Sequence, residues 1–262
     1  MKNVKQYIIS TYVMFYIILL FIGLMMFLLE SHMIVDLLIM LSSWTSTFVF
    51  VMMFRKIYPQ EKLWTFVRKQ FNQRIKISTL LSVLFIQLTV LICVFLVIHV
   101  LWDISVYDQV IVSWPILLML FGYNLILGPL GEELGWRGYV LKELQVIYSP
   151  LRSACIVGIV WGLWHSPLWF MSGYSGLQLL QYIVLFLVGI IAISIMITAF
   201  FNLNNNLLIP ITIHQLFNYT IAIQVGDALN VLMVTSLLYV LVAIILIIIN
   251  YRDCLYTSKQ KT

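Results

Sequence analysis

The stretch Gly-Glu-Glu-Leu-Gly-Trp-Arg-Gly-Tyr, residues 131–139, places three charged groups inside a chain that is otherwise strongly apolar. Glu132 and Glu133 supply adjacent carboxylates, and Arg137 supplies a guanidinium four residues after the second of them. A charged side chain at the centre of a bilayer costs about 2.5–3.5 kcal/mol on insertion scales, so such groups are rare in membrane helices and usually functional. Three of them so close together predict a functional site.

The composition is that of a membrane protein. Of the 262 residues, 63% are apolar and 10% are charged, and the mean hydropathy is +1.04. Soluble domains contain about 45–50% apolar and about 25% charged residues. We therefore predict an all-α polytopic membrane protein, in which residues 1–262 form a single transmembrane domain and the motif-bearing core covers about 112–225.

The chain holds eight apolar stretches of the length that crosses a bilayer, which is about 20 residues in a helix. They are residues 8–29, 33–54, 77–100, 112–130, 153–171, 178–200, 206–225 and 230–250. The first stretch exceeds the 7–15 apolar residues that are typical of a signal peptide, so we predict a retained helix. Gly128-Pro129 predicts a kink in the fourth, whose helical pattern continues to about Gln145.

The basic residues predict the orientation of these helices, because loops rich in Lys and Arg stay in the cytoplasm. With a cytoplasmic N-terminus and eight crossings, all 15 Lys and Arg fall on the cytoplasmic side. The charged residues on the outer side are then all acidic: Glu30, Asp36, Asp103, Asp108 and Asp227. We predict a multi-pass protein of the cell membrane with both termini cytoplasmic. The basic segment 55–76 is expected to lie on anionic lipid, and nothing in it favours nucleic acid as a partner.

The two glutamates of the motif are expected to have different partners. Glu133 and Arg137 stand four residues apart, so on a helix they share a face and can form a buried ion pair. Glu132 is rotated by about 100° from Glu133, can point elsewhere, and is the candidate general base. The alternative is that both glutamates only bond neighbours on their own helix, although one pair would be enough for that purpose.

Two later spans carry polar groups in the same i, i+4 spacing. Trp161 and His165 lie in one, and His214 and Asn218 lie in the next but one. A lone histidine on an apolar face is usually a core residue, but an imidazole beside a carboxamide can stabilise a developing oxyanion. Counted from the helix ends, His165 reaches about the level of Glu132 and His214 lies somewhat shallower, so the three could meet at one level. The expected result is one intramembrane site that opens to the cytoplasmic side.

The same helices offer no covalent nucleophile. No serine or cysteine stands at catalytic spacing from a histidine on one helix. Ser166 follows His165 directly, and neighbouring side chains on a helix point apart. Water is therefore the better candidate for the nucleophile.

Taken in order, these motifs resemble those of the CPBP family, the CAAX protease and bacteriocin-processing family of intramembrane endopeptidases, which includes the Ras-converting CAAX endopeptidase. The resemblance covers roughly residues 120–219 and rests on Glu-Glu-x-x-x-Arg (Glu132, Glu133, Arg137), aromatic-x-x-x-His (Trp161, His165) and His-x-x-x-Asn (His214, Asn218). One departure is Trp161, where the family more often has Phe. We expect this departure to change packing and not chemistry.

The resemblance implies glutamate-dependent hydrolysis of a peptide bond within the membrane. In such a scheme Glu132, assisted by His165, would activate a water molecule. His214 and Asn218 would stabilise the oxyanion that forms when this water attacks the peptide carbonyl.

The resemblance also implies a structural role for the remaining motif residues and raises the question of a metal. Glu133 and Arg137 would hold the first glutamate and its helix in place. The family was once thought to depend on zinc, and Glu132, His165 and His214 are the residues that would then bind the metal. We expect no metal and no other cofactor, because the second carboxylate and the asparagine are better suited to orientation and oxyanion binding.

The function predicted is therefore an intramembrane endopeptidase that hydrolyses a peptide bond near the end of a membrane-associated peptide or protein. The lipid bilayer and that substrate are the expected partners, and a prenylated CAAX tail and an unlipidated peptide are both open. One alternative is a non-catalytic membrane scaffold or bacteriocin-immunity protein of the same fold, which would have no use for the intact set of polar residues. Another is a transporter with the acidic pair as a proton relay, for which the outer loops are short and apolar.

Overall fold

The computed structural model describes residues 1–28 and 32–257, which form a bundle of α-helices. The helices are α1 (Lys2–Leu28), α2 (His32–Ser43), α3 (Thr45–Ile57), α4 (Leu63–Phe71), α5 (Ile77–Trp102), α6 (Trp114–Leu127), α7 (Pro129–Gly135), α8 (Lys142–Gln145), α9 (Pro150–Trp164), α10 (Ser166–Trp169), α11 (Gly176–Asn204), α12 (Leu208–Ala222) and α13 (Ala228–Ile249). Between α7 and α8 the chain continues as a π-helical turn, Trp136–Leu141. Within the described residues no sheet forms, and an isolated bridge joins Val110 to Gln224.

The all-α membrane fold is confirmed, and helix occupies each of the eight predicted regions. In the described part of the chain, 5 helices are long and apolar enough to cross a membrane, and α2 with α3 makes a sixth crossing if this pair, bent by 54°, counts as one span. Helices α9 and α12 have 15 residues each, about 22 Å at about 1.5 Å per residue. A hydrocarbon core is about 30 Å thick, so the count of eight crossings stays a prediction.

One end of the bundle, which we call the basic end, collects the described Lys and Arg residues apart from Arg137. Lys56 in the last turn of α3 donates to Gln6 Oε1 of α1 at 2.6 Å. The Leu151 amide at the start of α9 donates to the Leu255 carbonyl near the C-terminus at 2.7 Å. The N-terminus, the α3–α4 segment, the start of α9 and the C-terminal segment therefore meet at one end. Arg137 is the exception because it is buried in the interior.

The opposite end, called the distal end, forms where the segment before α6 meets the segment after α12. The amide of Ile111 donates to the carbonyl of Ile223 at 2.9 Å, and that of Val225 donates to Gln109 at 2.8 Å. The separation of charge between the two ends is the basis of the predicted orientation, which itself stays a prediction. Four residues used in that prediction lie outside the described residues or side chains: Glu30, Asp36, Lys259 and Lys261.

Close packing against α11 fixes the helix that carries one of the motif histidines. A Cβ added at Gly158 of α9 would stand 2.8 Å from the Cα of Ile191, and one added at Gly162 would stand 2.7 Å from the side chain of Leu187. Membrane helices associate through such small residues, since lipid gives no hydrophobic drive for helix contact. Helix α9 therefore has a fixed position against α11, with its C-terminal turn inside the bundle.

Candidate active site

A break in the helix path positions the two glutamates. Gly128 separates α6 from α7 with φ −144° and ψ −90°, and Pro129 begins the new helix. The amides of Gly131 and Glu132 both donate to the Gly128 carbonyl at 3.0 Å. The kink predicted at Gly128-Pro129 is present, and it brings Glu132 and Glu133 into the interior with 3% and 0% of their surface exposed.

Glu133 lies at the centre of a sealed ionic cluster. Its Oε1 accepts a hydrogen bond from Arg137 Nη1 at 2.9 Å and lies 2.7 Å from His214 Nδ1. The ion pair expected from the helical spacing is therefore present, whereas the third partner, from α12, was not predicted. Because a carboxylate only accepts hydrogen bonds, the hydrogen of His214 lies on Nδ1. This leaves Nε2 of the same ring for another partner.

Glu132 points away from this cluster, as its rotation around the helix predicts. Its Oε2 accepts a hydrogen bond of 2.5 Å from the indole Nε1 of Trp161. The face of the same indole lies under the guanidinium of Arg137, with 4.1 Å between Cζ and the ring centre. The expectation that tryptophan at position 161 matters for packing alone is therefore wrong. Its N–H holds one oxygen of the candidate base, and its ring covers the cation of the neighbouring cluster.

His165 ends α9 and is oriented by the helix that precedes it. Its Nδ1 lies 2.8 Å from the carbonyl oxygen of Trp161, which can only accept, so Nδ1 carries the hydrogen. The imidazole makes edge contacts with Trp164 at 4.7 Å and with Phe186 at 5.4 Å between ring centres. Nδ1 is therefore occupied by a hydrogen bond to the backbone, and Nε2 is the nitrogen that can accept a hydrogen bond or a proton.

The third pair, His214 and Asn218, faces the helix break. A Cβ built on Gly128 would stand 3.0 Å from Asn218 Nδ2 and 3.5 Å from His214 Nε2. Two nitrogens from one face of α12 thus converge on the space that the missing side chain of Gly128 leaves open. The ring of His214 also lies 4.8 Å from that of Trp161 in an edge-to-face contact. The motifs expected to meet at one level do meet, through Trp161 and Glu133.

A cavity of about 380 Å³ reaches Glu132 and His165. These two are the ionisable residues of its lining, and Ser42 and Ser43 add hydroxyl groups. The rest is apolar: Phe15, Leu19, Ile22, Met26, Ile39, Leu127, Trp164, Leu168 and Met171. Such a space combines an apolar wall with a few convergent polar groups, which is the usual character of a small-molecule or peptide site.

The cavity lies on the distal side of Glu132. Its residues on α1 begin at Phe15, about 20 Å from Lys2, and extend to Met26, about 36 Å from Lys2, at about 1.5 Å per residue. Which side of the membrane the distal end faces is itself a prediction, so the expected opening toward the cytoplasmic side stays a prediction. Counting residues along helices gives the depth of a side chain, but it does not give the side on which neighbouring helices diverge.

Residues of the first three helices support the backbone of the motif, and sequence reasoning missed them. Ser46 Oγ of α3 donates to the carbonyl oxygen of Glu132 at 3.0 Å. The hydroxyl of Tyr7 on α1 donates to the Ser46 carbonyl at 2.9 Å. A Cβ added at Gly135 would stand only 1.9 Å from the Tyr7 hydroxyl oxygen and 2.2 Å from Ser46 Oγ. The glycine at position 135 could have indicated that another helix packs closely here, but a glycine does not indicate which residues pack against it.

The polar side chains of the site do not form a set of metal ligands. Within residues 1–28 and 32–257, no three His, Cys, Asp or Glu side chains are arranged so that they could hold a metal ion. His214 directs Nδ1 at Glu133, and Glu132 accepts from Trp161. Glu132, His165 and His214 therefore do not fit a zinc site in this arrangement.

Comparison with known proteins gives one family match, over the segment that carries the motifs, and one similar relative. Residues 113–220 match the family described as "Type II CAAX prenyl endopeptidase Rce1-like". A relative called CAAX prenyl protease 2, from Methanococcus maripaludis, is 34% identical over 101 residues, which cover 37% of this chain and 37% of the relative. The chain thus matches little more than a third of that relative's length. The family resemblance of the motifs is confirmed.

Proposed function

We propose that this chain, whose residues 113–220 match the Rce1-like CAAX endopeptidase family, is an intramembrane protease that uses Glu132 to activate water. One observation carries the proposal. Glu132 lies at the wall of an apolar cavity beside His165, and a hydrogen bond of 2.5 Å from Trp161 fixes its carboxylate. A carboxylate that is held by one oxygen, with a cavity before it, is arranged for proton transfer to and from a bound water.

The chemical step uses the two ionisable residues of the cavity. Oε2 of Glu132 accepts from Trp161, so the other oxygen takes the proton as water attacks the peptide carbonyl. His165 assists by accepting at Nε2 a hydrogen bond from the second O–H of the same water, because its Nδ1–H already donates to a backbone carbonyl. When the tetrahedral intermediate collapses and the C–N bond breaks, Glu132 returns its proton to the departing amine. General acid–base catalysis of this kind contributes about 10²–10⁴ in rate.

Two side-chain nitrogens that lie close to Gly128 stabilise the negative charge that develops on the carbonyl oxygen. Asn218 Nδ2 and His214 Nε2 converge on the space beside this glycine, and both can donate a hydrogen bond there. His214 donates from Nε2 when the ring is doubly protonated. The adjacent Glu133 carboxylate, which Arg137 also contacts, then balances the charge of the imidazolium. Each preorganised donor of this type is worth about 10²–10³ in kcat.

The substrate class follows from the cavity and the family. We propose a peptide bond near the end of a membrane-associated peptide or protein, because the scissile bond must reach an apolar, intramembrane space. The relative's name specifies a prenyl protease, and a prenylated CAAX tail is accordingly one substrate to test, with an unlipidated peptide as the other. A non-catalytic scaffold or immunity protein is the alternative function, and it gives no reason for the hydrogen bonds made to Glu132.

The direct test is cleavage by purified protein in proteoliposomes. Two fluorogenic reporters of one sequence, ending in a CAAX tail with and without a farnesyl group, are supplied to the wild type and to Glu132→Gln. The wild type is expected to cleave at least one reporter, and Glu132→Gln to lose about 10²–10⁴ of that rate.

The matched control is Glu143→Gln, an acidic residue 11 positions further along the same stretch of chain. Glu143 accepts a hydrogen bond of 2.9 Å from the Tyr58 hydroxyl, far from the cavity. Burial raises the pKa of Tyr58, so this hydroxyl remains the donor of that bond. We expect Glu143→Gln to keep the wild-type rate. Equal activity of Glu132→Gln and wild type would remove the proposed base.

A further inference from the structure

A second cavity, of about 530 Å³, lies at the basic end of the bundle between the end of α3 and the start of α4. We call it the basic pocket. Two cations line it, Arg55 in the last turn of α3 and Lys62 just before α4. Gln60 and Glu61 of the connecting loop add polar groups. The lining includes none of the motif residues, so the basic pocket is separate from the cavity that reaches Glu132.

The basic pocket carries an uncompensated positive charge. Of its lining residues Glu61 alone is acidic, and Lys69 of α4 pairs with this carboxylate at 2.6 Å. Arg55 and Lys62 are exposed, and in the part of the chain that the structure describes neither forms an ion pair. Two such cations at the edge of a cavity favour an anionic ligand. A guanidinium can also bind two oxygens of one phosphate at once.

The remaining wall of the basic pocket is apolar and continues along α3. It consists of Val51, Phe54, Pro59 and Leu63. Val51 precedes Arg55 by four residues, so the two side chains lie on the same face of α3, one turn apart. Val51 is 42% exposed, so this face is open to its surroundings one turn further from the basic end. A ligand that fits both walls has an anionic head at Arg55 and an apolar chain along Val51.

The basic pocket lies at the level where lipid headgroups are expected. Helix α5, which is long and apolar enough to cross a membrane, begins at Ile77, shortly after the end of α4. Trp64 of α4 is 74% exposed and follows Leu63, which lines the pocket. Tryptophan is enriched at the boundary between a bilayer and water. The bilayer surface therefore meets the bundle at this pocket, whichever side of the membrane the basic end faces.

We infer that the basic pocket binds an anionic phospholipid, with its phosphate at Arg55 and Lys62 and one acyl chain along Val51. A free inorganic anion would make no use of the apolar wall, and a zwitterionic lipid would bring no net charge to the two cations. The segment 55–76 thus has one defined lipid site rather than a diffuse attraction to anionic surfaces. Binding there is independent of the proposed protease function and of the orientation of the chain in the membrane.

A bound lipid should stabilise the fold, because the wall of the basic pocket is part of the core. Phe54 is buried, and its ring centre lies 5.6 Å from that of Phe66 on α4 and 5.7 Å from that of Phe50 on α3. A ligand that contacts Phe54 and Leu63 therefore connects α3 with α4. Because a ligand that binds the folded state alone raises the unfolding temperature, binding has a readout that does not require activity.

Native mass spectrometry of the purified protein in neutral detergent micelles measures the binding. Dioleoylphosphatidylglycerol and dioleoylphosphatidylcholine are supplied at equal concentration, since they have the same acyl chains and differ in net charge. Each cation near an anionic lipid contributes about fivefold to affinity, so the wild type should bind the zwitterionic lipid about tenfold more weakly or worse. For the same reason the double variant Arg55→Gln, Lys62→Gln should bind phosphatidylglycerol about 25-fold more weakly than the wild type. Equal binding of the two lipids by the wild type would overturn the inference.

The double variant Lys2→Gln, Lys5→Gln is the matched control for charge. Both lysines are exposed on α1 at the same end of the bundle, and their replacement removes the same net charge. This variant should bind phosphatidylglycerol as the wild type does. An equal loss of binding in the two double variants would show a diffuse attraction to the whole basic end and would overturn the pocket.

Two adjacent residues of α3 test the apolar wall. Val51→Trp fills part of the basic pocket, and displacing even two methylene groups of the acyl chain should weaken binding of phosphatidylglycerol about tenfold. Met52→Trp adds the same ring at a position that is 76% exposed and outside the lining, so it should keep the wild-type affinity. Equal affinity of the two variants would show that no acyl chain lies along Val51.

Thermal unfolding separates a lipid from a free anion. Phosphatidylglycerol should raise the unfolding temperature of the wild type and of Met52→Trp, but not that of Arg55→Gln, Lys62→Gln. Inorganic phosphate at the same concentration should leave all three unchanged. If inorganic phosphate stabilises the wild type as much as the lipid does, the ligand is a free anion and the inference is wrong.

Discussion

The adjacent carboxylates of Glu132 and Glu133 lie on two sides of α7 and have opposite surroundings. On one side Glu133 is fully buried and lies between Arg137 and His214 in a cluster of opposite charges. On the other side Glu132 has one oxygen fixed by Trp161 and lies at the wall of a cavity. The same side chain is structural where its charge is neutralised by partners and reactive where a cavity gives access to it.

The largest expected effect separates the two glutamates by stability. Glu133→Gln leaves Arg137 with an uncompensated buried charge, which costs about 3–5 kcal/mol when one partner of a buried pair is removed. Glu132→Gln removes no ion-pair partner and should change stability by about 1 kcal/mol or less. We expect both variants to be inactive, and only Glu133→Gln to be strongly destabilised. Unfolding in mixed micelles, followed by tryptophan fluorescence against denaturing detergent, measures the difference; equal stability of the two variants would show that the contrast is wrong.

The next effect concerns the space before the oxyanion donors. Gly128→Ala would put a methyl group 3.0 Å from Asn218 Nδ2 and 3.5 Å from His214 Nε2. By blocking both donors it should lower kcat by about 10²–10³. Gly122→Ala, on the preceding helix with nothing within 4 Å of the added Cβ, controls for the change of glycine to alanine. Similar kcat values for both variants would mean that no carbonyl oxygen binds there.

A smaller effect is expected from the indole that joins the two sides. Trp161→Phe keeps an aromatic ring under Arg137 but loses the N–H that bonds Glu132. A hydrogen bond to a charged group is worth about 1.5–3 kcal/mol, so kcat should fall by at least about tenfold while KM changes little.

Trp136→Phe is the matched control for this substitution. Trp136 is also buried, its indole nitrogen has no hydrogen-bond partner within the described residues, and it does not line the cavity. It contacts Tyr7 and Trp164 through its ring, which phenylalanine preserves in kind. A kcat loss of the same size in Trp136→Phe would assign the effect to ring size and not to the N–H.

The last prediction is that metal chelators have no effect on the rate of cleavage. If Glu132 activates water without a metal, treatment of the purified protein with 1,10-phenanthroline and with EDTA should leave reporter cleavage unchanged. Loss of activity that zinc restores would contradict the metal-free mechanism. The non-chelating isomer 1,7-phenanthroline is the control for inhibition by the aromatic compound itself.

Sequence reasoning succeeded where the determining interactions are local. The helical regions follow from runs of apolar residues, the kink from Gly128-Pro129, and the Glu133–Arg137 pair from a spacing of four residues. Each of these depends on residues that are close along the chain.

The contacts that define the site are distant in sequence and escaped prediction. Trp161 bonds Glu132 across 29 positions, and His214 bonds Glu133 across 81. Helical periodicity gives the face on which a residue lies, but it does not give the helix that packs against that face. The direction in which the cavity extends from Glu132 likewise depends on how α1 and α9 pack, which helical periodicity does not give.

The contact at Gly135 has a consequence for how this protein can be divided. Helix α7, which carries the two glutamates, ends at Gly135 against Tyr7 and Ser46, with no room for even a methyl group between them. Residues 113–220, which carry the family match, therefore contain the reactive groups but not the frame that holds them. A fragment that starts at α6 would leave the Glu132 backbone without its support, so the amino-terminal helices, which bear no motif, are as necessary to an engineered minimal protein as the motifs themselves.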